Sequence, residues 1–308
     1  AFARAAPLLA PANLTGRFEA GAAGPATSVK LTLDGDVGGS QIEAKGSFTG
    51  TFTDWRQGLL GLSVDARGPD GAKLIGQFGV PVVPVKGAGP GEIALSLAGR
   101  PAGELKATLA ADVAGSSLDL DGSLTAPGHT DSTGRFDVKL DSRDIAPAAL
   151  ALGWLAPGLA GALPAALSAH IETVGEKATV SQLSGSFAGT QVAGQGTVDV
   201  GPVRPRVSGS LEIASVDMVA LGELALGSGA WSLTTAEDSV WPDGAFGPSL
   251  ISGLDLSLAL KAGKVRVGGS ELDAASAKLS SNAQAIDVSE IAGRLAGGVL
   301  SGRLGVVR

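Results

Sequence analysis

A sixteen-residue pattern occurs twice in this chain without a gap. Leu183-Ser-Gly-Ser-Phe-Ala-Gly-Thr-Gln-Val-Ala-Gly-Gln-Gly-Thr-Val198 recurs as Ile291-Ala-Gly-Arg-Leu-Ala-Gly-Gly-Val-Leu-Ser-Gly-Arg-Leu-Gly-Val306, 108 residues further on. Apolar residues or glycines coincide at 183/291, 185/293, 187/295, 189/297, 192/300, 194/302 and 198/306. The spacing within each half is a multiple of two, and its parity flips across Gly-Thr-Gln and Gly-Gly-Val. Side chains alternate between the faces of a strand, so each copy reads as a hairpin with one apolar and one polar face around a tight glycine turn. A second repeat, Leu31–Thr49 onto Ala107–Thr125 at a spacing of 76, has the same character. A chain that repeats hairpins of this kind builds a long sheet with one oily side.

Composition agrees with strands and tight turns. The 308 residues hold 47 Gly, no Tyr, no Cys and one Met, with 17% charged and 4% aromatic residues. The net charge of −7, with no basic patch interleaved with aromatics, argues against a nucleic-acid surface. The absence of Cys excludes disulfides and thiolate metal sites and suits an oxidising compartment. No uninterrupted run of 18 apolar residues offers a membrane-spanning helix. The chain starts at Ala1 rather than Met, which reads as a fragment or processed product with any signal or anchor upstream.

Along the chain, residues 1–13 read as a linker or frayed terminus, 14–142 as a β-sheet repeat region, and 143–308 as a second β region. Alternation places strands at 59–66, 73–79, 92–98, 104–113, 117–125 and 134–141, besides those around Val29–Leu33 and Ile42–Phe48. Asp144 and Pro147 open a short helix near 146–155, and Ser215 or Asp217 a second near 216–224. The stretch 227–250, with Trp231, Trp241, Pro242 and Phe246, looks irregular; Trp231, Trp241 and Phe246 either pin that loop to the sheet or rim one end of it. Alternation returns with Leu254, Leu256, Leu258 and Leu260, then Val265 and Val267. The expected fold is mainly β: about 18 strands in a long antiparallel meander, curled by its twist into an open trough, with two short helices.

The segment from Trp241-Pro-Asp243 through Leu254-Asp-Leu-Ser-Leu-Ala-Leu260 and Gly263-Lys-Val-Arg-Val-Gly-Gly-Ser-Glu-Leu272 resembles the C-terminal region of AsmA-family proteins. So do the ending Ile291–Gly302 and the middle part Ala178–Val219, and the resemblance is clearest over residues 140–308. It implies a periplasmic protein held at a bacterial inner membrane by an N-terminal anchor helix, which this chain lacks. It also implies non-enzymatic movement of phospholipid between inner and outer membranes along a β-groove, with outer-membrane or periplasmic proteins as partners and no cofactor.

Each CH₂ exposed to water costs about 0.8 kcal/mol, and a groove open along one side shelters tails while its charged headgroups stay wet. The groove-lining candidates in the first half are Val29, Leu31, Leu33, Ile42, Phe48, Leu105, Leu109, Leu118, Leu120, Leu124, Phe136, Val138 and Leu140. In the second half they are Phe187, Val192, Val198, Leu211, Ile213, Leu254, Leu256, Leu258, Leu260, Val265, Val267, Leu295, Leu300 and Leu304. The same leucines would equally serve a closed core under a second layer.

Catalytic and metal signals are weak. His129 and His170, the two histidines, read as surface residues. No Gly-x-Ser-x-Gly elbow stands at a strand-to-helix turn. Asp34-Gly-Asp36 and Asp119-Leu-Asp121-Gly122 lack full calcium-loop spacing and read as solvated faces. Two rival readings remain: an assembly factor that offers a sheet edge to outer-membrane strands by β-augmentation, and a β-solenoid. The solenoid needs one fixed coil length, and 76 and 108 share none.

Overall fold

The computed structural model describes residues 6–23, 26–83, 89–125, 132–152, 162–217, 254–267, 269–282 and 284–307. Sixteen strands hydrogen-bond in sequence order in one sheet. They are β1 Ala12–Ala23, β2 Ala26–Val37, β3 Ser40–Gly50, β4 Leu59–Gly68, β5 Gly91–Gly99, β6 Glu104–Val113, β7 Ser116–Thr125, β8 Thr133–Ser142, β9 Ala165–Val174, β10 Lys177–Phe187, β11 Thr190–Asp199, β12 Arg206–Asp217, β13 Asp255–Val267, β14 Ser270–Ser281, β15 Ala285–Leu295 and β16 Gly298–Val307. By contacts the chain divides into two compact units, residues 1–153 with 170–175, and residues 154–169 with 176–308.

Both sequence repeats are hairpins. In the 76-residue repeat, Val37 pairs with Ser40 and Val113 with Ser116. Gly38-Gly39 and Ala114-Gly115 close these turns at φ of 58° and 83°, and of 53° and 76°. In the 108-residue repeat the turn residues are Ala188-Gly189 (49° and 78°) and Ala296-Gly297 (48° and 84°). Two left-handed residues in succession give the turn whose twist matches that of the flanking strands, and glycine takes the second position without a Cβ penalty.

The 108-residue repeat extends to a feature that alternation alone does not show. Gln182 (φ 53°) and Glu290 (φ 49°) occupy equivalent left-handed positions inside β10 and β15. Each sits at a register break, between Val180 and Leu183 and between Val288 and Ile291. These are β-bulges, which insert a residue and so invert sequence parity. The apolar row therefore runs Ala178, Val180, Leu183, Gly185, Phe187 without leaving its face. Its partners are Val198, Gly196, Gly194, Val192 and Thr190. In the second copy Ile286, Val288, Ile291, Gly293 and Leu295 meet Val306, Leu304, Gly302, Leu300 and Gly298. Leu256–Leu260 are even-numbered and Val265 odd although neither ladder of β13 shifts register: each skips one level, Ala214/Gly263 and Gly263/Ala274, and Ala274 (φ 49°) is left-handed there. A left-handed residue with a side chain costs about 1 kcal/mol. Gln182→Gly is therefore expected to stabilise the β10–β11 hairpin by about 0.5–1 kcal/mol, read as a higher urea midpoint at unchanged slope.

Four expectations are corrected. First, β12 and β13 pair in parallel, Arg206 with Asp255 through Asp217 with Arg266, whereas the sequence suggested antiparallel pairing throughout. A parallel neighbour needs a crossover of a dozen residues or more, and residues 218–254 supply that length. Second, 73–79 is no strand: Gly71–Gln77 is a helix, capped where the Asp70 carboxylate accepts from the Lys73 N–H at 3.1 Å. Third, the frayed start contains a 3-10 turn at Ala6–Leu9 and the first residues of β1. Fourth, Val216 and Asp217 belong to β12 rather than to a second helix; the rest of that stretch, like 227–250, lies outside the described residues. The helix expected near 146–155 is Ala146–Ala151, with the Asp144 carboxylate accepting from the Ala146 N–H; residues 153–155 also lie outside the described residues.

The hydrophobic core cluster among the described residues is small and lies in the first unit, while Ala165, Leu272 and Ile286 are also buried in the second. Leu74 of the 71–77 helix is fully buried against Ala66, Ile93, Val113, Ala114 and Ala151. Gln77 donates from Nε2 to the carbonyls of Val37 (2.9 Å) and Leu8 (3.1 Å), tying the 3-10 turn and the β2–β3 hairpin to that helix. The Val83 N–H donates to the Ala151 carbonyl at 2.7 Å. Helices thus cover the sheet at one end of β4–β6.

Candidate functional site: an apolar sheet face

Register decides which side chains share a face. In the first unit Val29 stands opposite Phe48, Leu31 opposite Gly46, Leu33 opposite Ala44 and Gly35 opposite Ile42. Leu105 faces Leu124, Leu109 faces Leu120, Leu118 faces Leu140, Leu120 faces Val138 and Gly122 faces Phe136. All the candidates of the first half therefore fall in cross-strand rows on one face. Sequence reasoning named none of the residues that complete those rows. Leu14 and Phe18 enter from β1, Leu60, Leu62 and Val64 from β4, and Ile93, Leu95 and Leu97 from β5. The signal was present, since each set alternates at a spacing of two.

In the second unit Val192 faces Ile213, Gly194 faces Leu211 and Val198 faces Val207. Val207, Gly209, Leu211 and Val216 face Leu256, Leu258, Leu260 and Val265. Leu272 faces both Val265 and Leu295, and Leu279 faces Leu258 and Val288. Leu300 and Leu304 complete the row on β16, and Phe187 stands at the β10–β11 turn. Val267 pairs with Ser270 in register, and Leu254 precedes β13, its carbonyl accepting from Arg204 at 3.0 Å. Glycines make room for larger neighbours along these rows. A Cβ on Gly293 would lie 2.7 Å from Leu272, and one on Gly122 would lie 2.7 Å from the Phe136 ring.

Coverage separates this face from an ordinary core. Away from the 71–77 helix most of the row residues are half-buried or exposed, Phe18 at 66%, Leu31 at 39% and Leu62 at 37%, while Leu105, Leu272 and Ile286 are buried. Leu256, Leu258, Leu260 and Val265 are each half-buried. Leu74 is the largest fully buried side chain among the described residues. At the ends of β3 and β4 remote from that helix, the 3-10 segment Phe52–Gln57 adds further apolar surface. There Phe48 stacks on Phe52 at 5.7 Å, and Phe52 and Trp55 stay more than half exposed.

The opposite face is ionic and hydroxylated. Arg67 donates to Glu92 at 2.6 and 2.8 Å, and Lys264 to Glu271 at 2.5 Å. The hydrogen bond from Arg67 holds the Glu92 carboxyl below the usual carboxylate range, and Lys264 does the same to Glu271. Ser96 with Thr108 and Thr197 with Ser208 form hydroxyl pairs at 2.7 Å. His170 lies on this side, Nδ1 2.9 Å from the Asp137 carboxylate; His129 lies outside the described residues. A shallow cleft of about 680 Å³ in the second unit is lined both by Glu212 and Lys261 of the polar rows and by Val192 and Ile213 of the apolar row. Asp34, Asp36, Asp119 and Asp121 belong to these polar rows, and no group of three or more metal-ligating side chains gathers among the described residues. No helix among those residues is long and apolar enough to cross a membrane.

Compared with known proteins, the chain matches no family model, no curated protein and no solved structure.

Proposed function

We propose that this chain carries phospholipid, acyl chains down on the apolar face and headgroup in water, as a non-enzymatic segment of a bacterial envelope bridge between inner and outer membranes. The observation that carries this reading is the continuity of aliphatic and glycine rows across neighbouring strands, with many leucines and valines only half-buried where no second layer lies on them among the described residues. Burying a sixteen-carbon tail there recovers about 12 kcal/mol at 0.8 kcal/mol per CH₂, spread over many weak contacts rather than one tight site. Such spreading suits sliding, because neighbouring positions on the row are nearly equivalent. Smooth aliphatic rows, glycine gaps and the polar reverse face all support it, as does the resemblance of residues 140–308 to AsmA-family proteins; periplasmic placement rests on that resemblance alone.

The test is direct. The purified, folded 308-residue chain is extracted and its lipids identified by mass spectrometry. Phospholipid at about one molecule or more per chain is the expected result. Its repeated absence from folded protein overturns the proposal.

A further inference from the structure

The 3-10 segment Phe52–Gln57 stands outside the sheet between β3 and β4, and every residue from Thr51 to Gln57 is exposed. It holds Phe52 and Trp55, the one tryptophan among the described residues, in a chain with only 4% aromatic residues. Large aromatics are normally turned inward, yet both of these rings stay more than half in water.

That exposure is braced from two sides. Phe48, which stands in the apolar row between Val29 and Leu60, stacks on Phe52 with ring centroids 5.7 Å apart. Glycines at both ends of the segment admit the Phe48 ring: a Cβ on Gly50 would lie 3.0 Å from its Cζ, and one on Gly58 2.7 Å. On the other side the Ala102 N–H donates to the Arg56 carbonyl at 2.9 Å, and Arg100 Nη1 donates to the Gln57 carbonyl at 3.3 Å. The turn between β5 and β6 thus ties the segment down.

The side chains on this lip combine three chemistries. The Arg56 guanidinium lies over the Trp55 ring, 5.8 Å from its centroid. Neither Arg56 nor Arg100 makes an ion pair among the described residues. Asp54 in the segment and Glu104 at the start of β6 add two carboxylates, so the lip presents both signs of charge beside two bare rings. Indole and guanidinium groups each have an apolar body and a polar end, and both favour the boundary between hydrocarbon and water. A zwitterionic phospholipid surface offers the matching set: phosphates for the arginines, ammonium groups for the carboxylates, and upper acyl carbons for Phe52 and Trp55. Because Phe52 stacks on Phe48, the apolar part of the lip runs without a break into the row.

We infer that Phe52–Gln57 is a membrane-docking lip, which enters the headgroup layer of a zwitterionic phospholipid bilayer and passes acyl chains onto the row at Phe48. This deepens the carrier reading and rests on it for the hand-over.

Flotation of the full chain with phosphatidylcholine vesicles measures docking, and quenching of tryptophan by lipids brominated on their upper acyl carbons measures insertion. The chain has four tryptophans, so Trp55→Phe isolates the signal from Trp55. This variant is expected to bind within about twofold of wild type, since a ring remains, and to lose most of the quenching. Phe52→Ser combined with Trp55→Ser should weaken binding at least tenfold with circular dichroism unchanged, since both rings are exposed. Val203→Ser removes a fully exposed apolar side chain in the second unit and should bind as wild type does. The inference is overturned by a folded chain that ignores vesicles, by binding indifferent to loss of both rings, by quenching that persists in Trp55→Phe, or by a dimer that forms through Phe52 and Trp55 without vesicles. Docking and carriage fail separately: a chain that copurifies with phospholipid and still gives any of these results loses the lip and keeps the carrier.

Discussion

Leu258→Asp is expected to reduce phospholipid transfer between donor and acceptor vesicles by more than tenfold, while Ser257→Asp leaves it near the wild-type rate. Leu258 sits mid-row, opposite Gly209 of β12 and Leu279 of β14, where a passing tail must touch it. A carboxylate there stays hydrated while the face is empty, so folding is spared. Sliding an acyl chain over it strips that water at a cost of several kcal/mol, and each 1.4 kcal/mol is a factor of ten in rate. Ser257 is one residue away yet exposed on the other face, opposite Ser208 and Ser280. Matching circular dichroism and thermal unfolding of the two variants would confirm that the fold is common to both. Equal transfer by both would remove the apolar face from the mechanism.

Leu74→Ala should cost about 3 kcal/mol, whereas Leu62→Ala, on the same apolar side, should cost less than about 1 kcal/mol. Leu74 is fully buried under Ala66, Ile93 and Val113, so truncation leaves a cavity in addition to losing the transfer energy. Leu62 is 37% exposed, and water or lipid can occupy the vacated space. The measurement is native-state hydrogen exchange across β4–β6. In Leu74→Ala, protection near Ala66, Ile93 and Val113 should fall by about a hundredfold, and in Leu62→Ala it should change little. An equal loss in the two variants would mean that the apolar rows are roofed in solution, which would also count against lipid carriage.

Much of the architecture was legible because strand alternation has a short period and glycine turns are local. Hairpins at 31–49, 107–125, 183–198 and 291–306 follow from residues within twenty positions of one another, and the structure pairs them as read. The helix at 71–77 was misread because seven residues are too few to separate a period of two from one of 3.6, although Gly-Pro-Asp before it was a usable start signal. The bulges at Gln182 and Glu290 went unseen because neither is a glycine and nothing local announces a left-handed residue there. The parallel pairing of β12 with β13 depends on the path of residues 218–254, which no alternation pattern encodes.

By itself, then, the order of residues determined that this is a β-protein with one aliphatic and one ionic side, since a period of two forces every second side chain to the same surface. Tertiary structure alone decided that the rows stay in line through the inverted parity of β10 and β12–β15, and that helices cover one end of β4–β6 while, among the described residues, no second layer lies on most other rows. Those outcomes depend on which strands become neighbours and where a helix lands, contacts between residues far apart in the chain that its local periodicity does not specify.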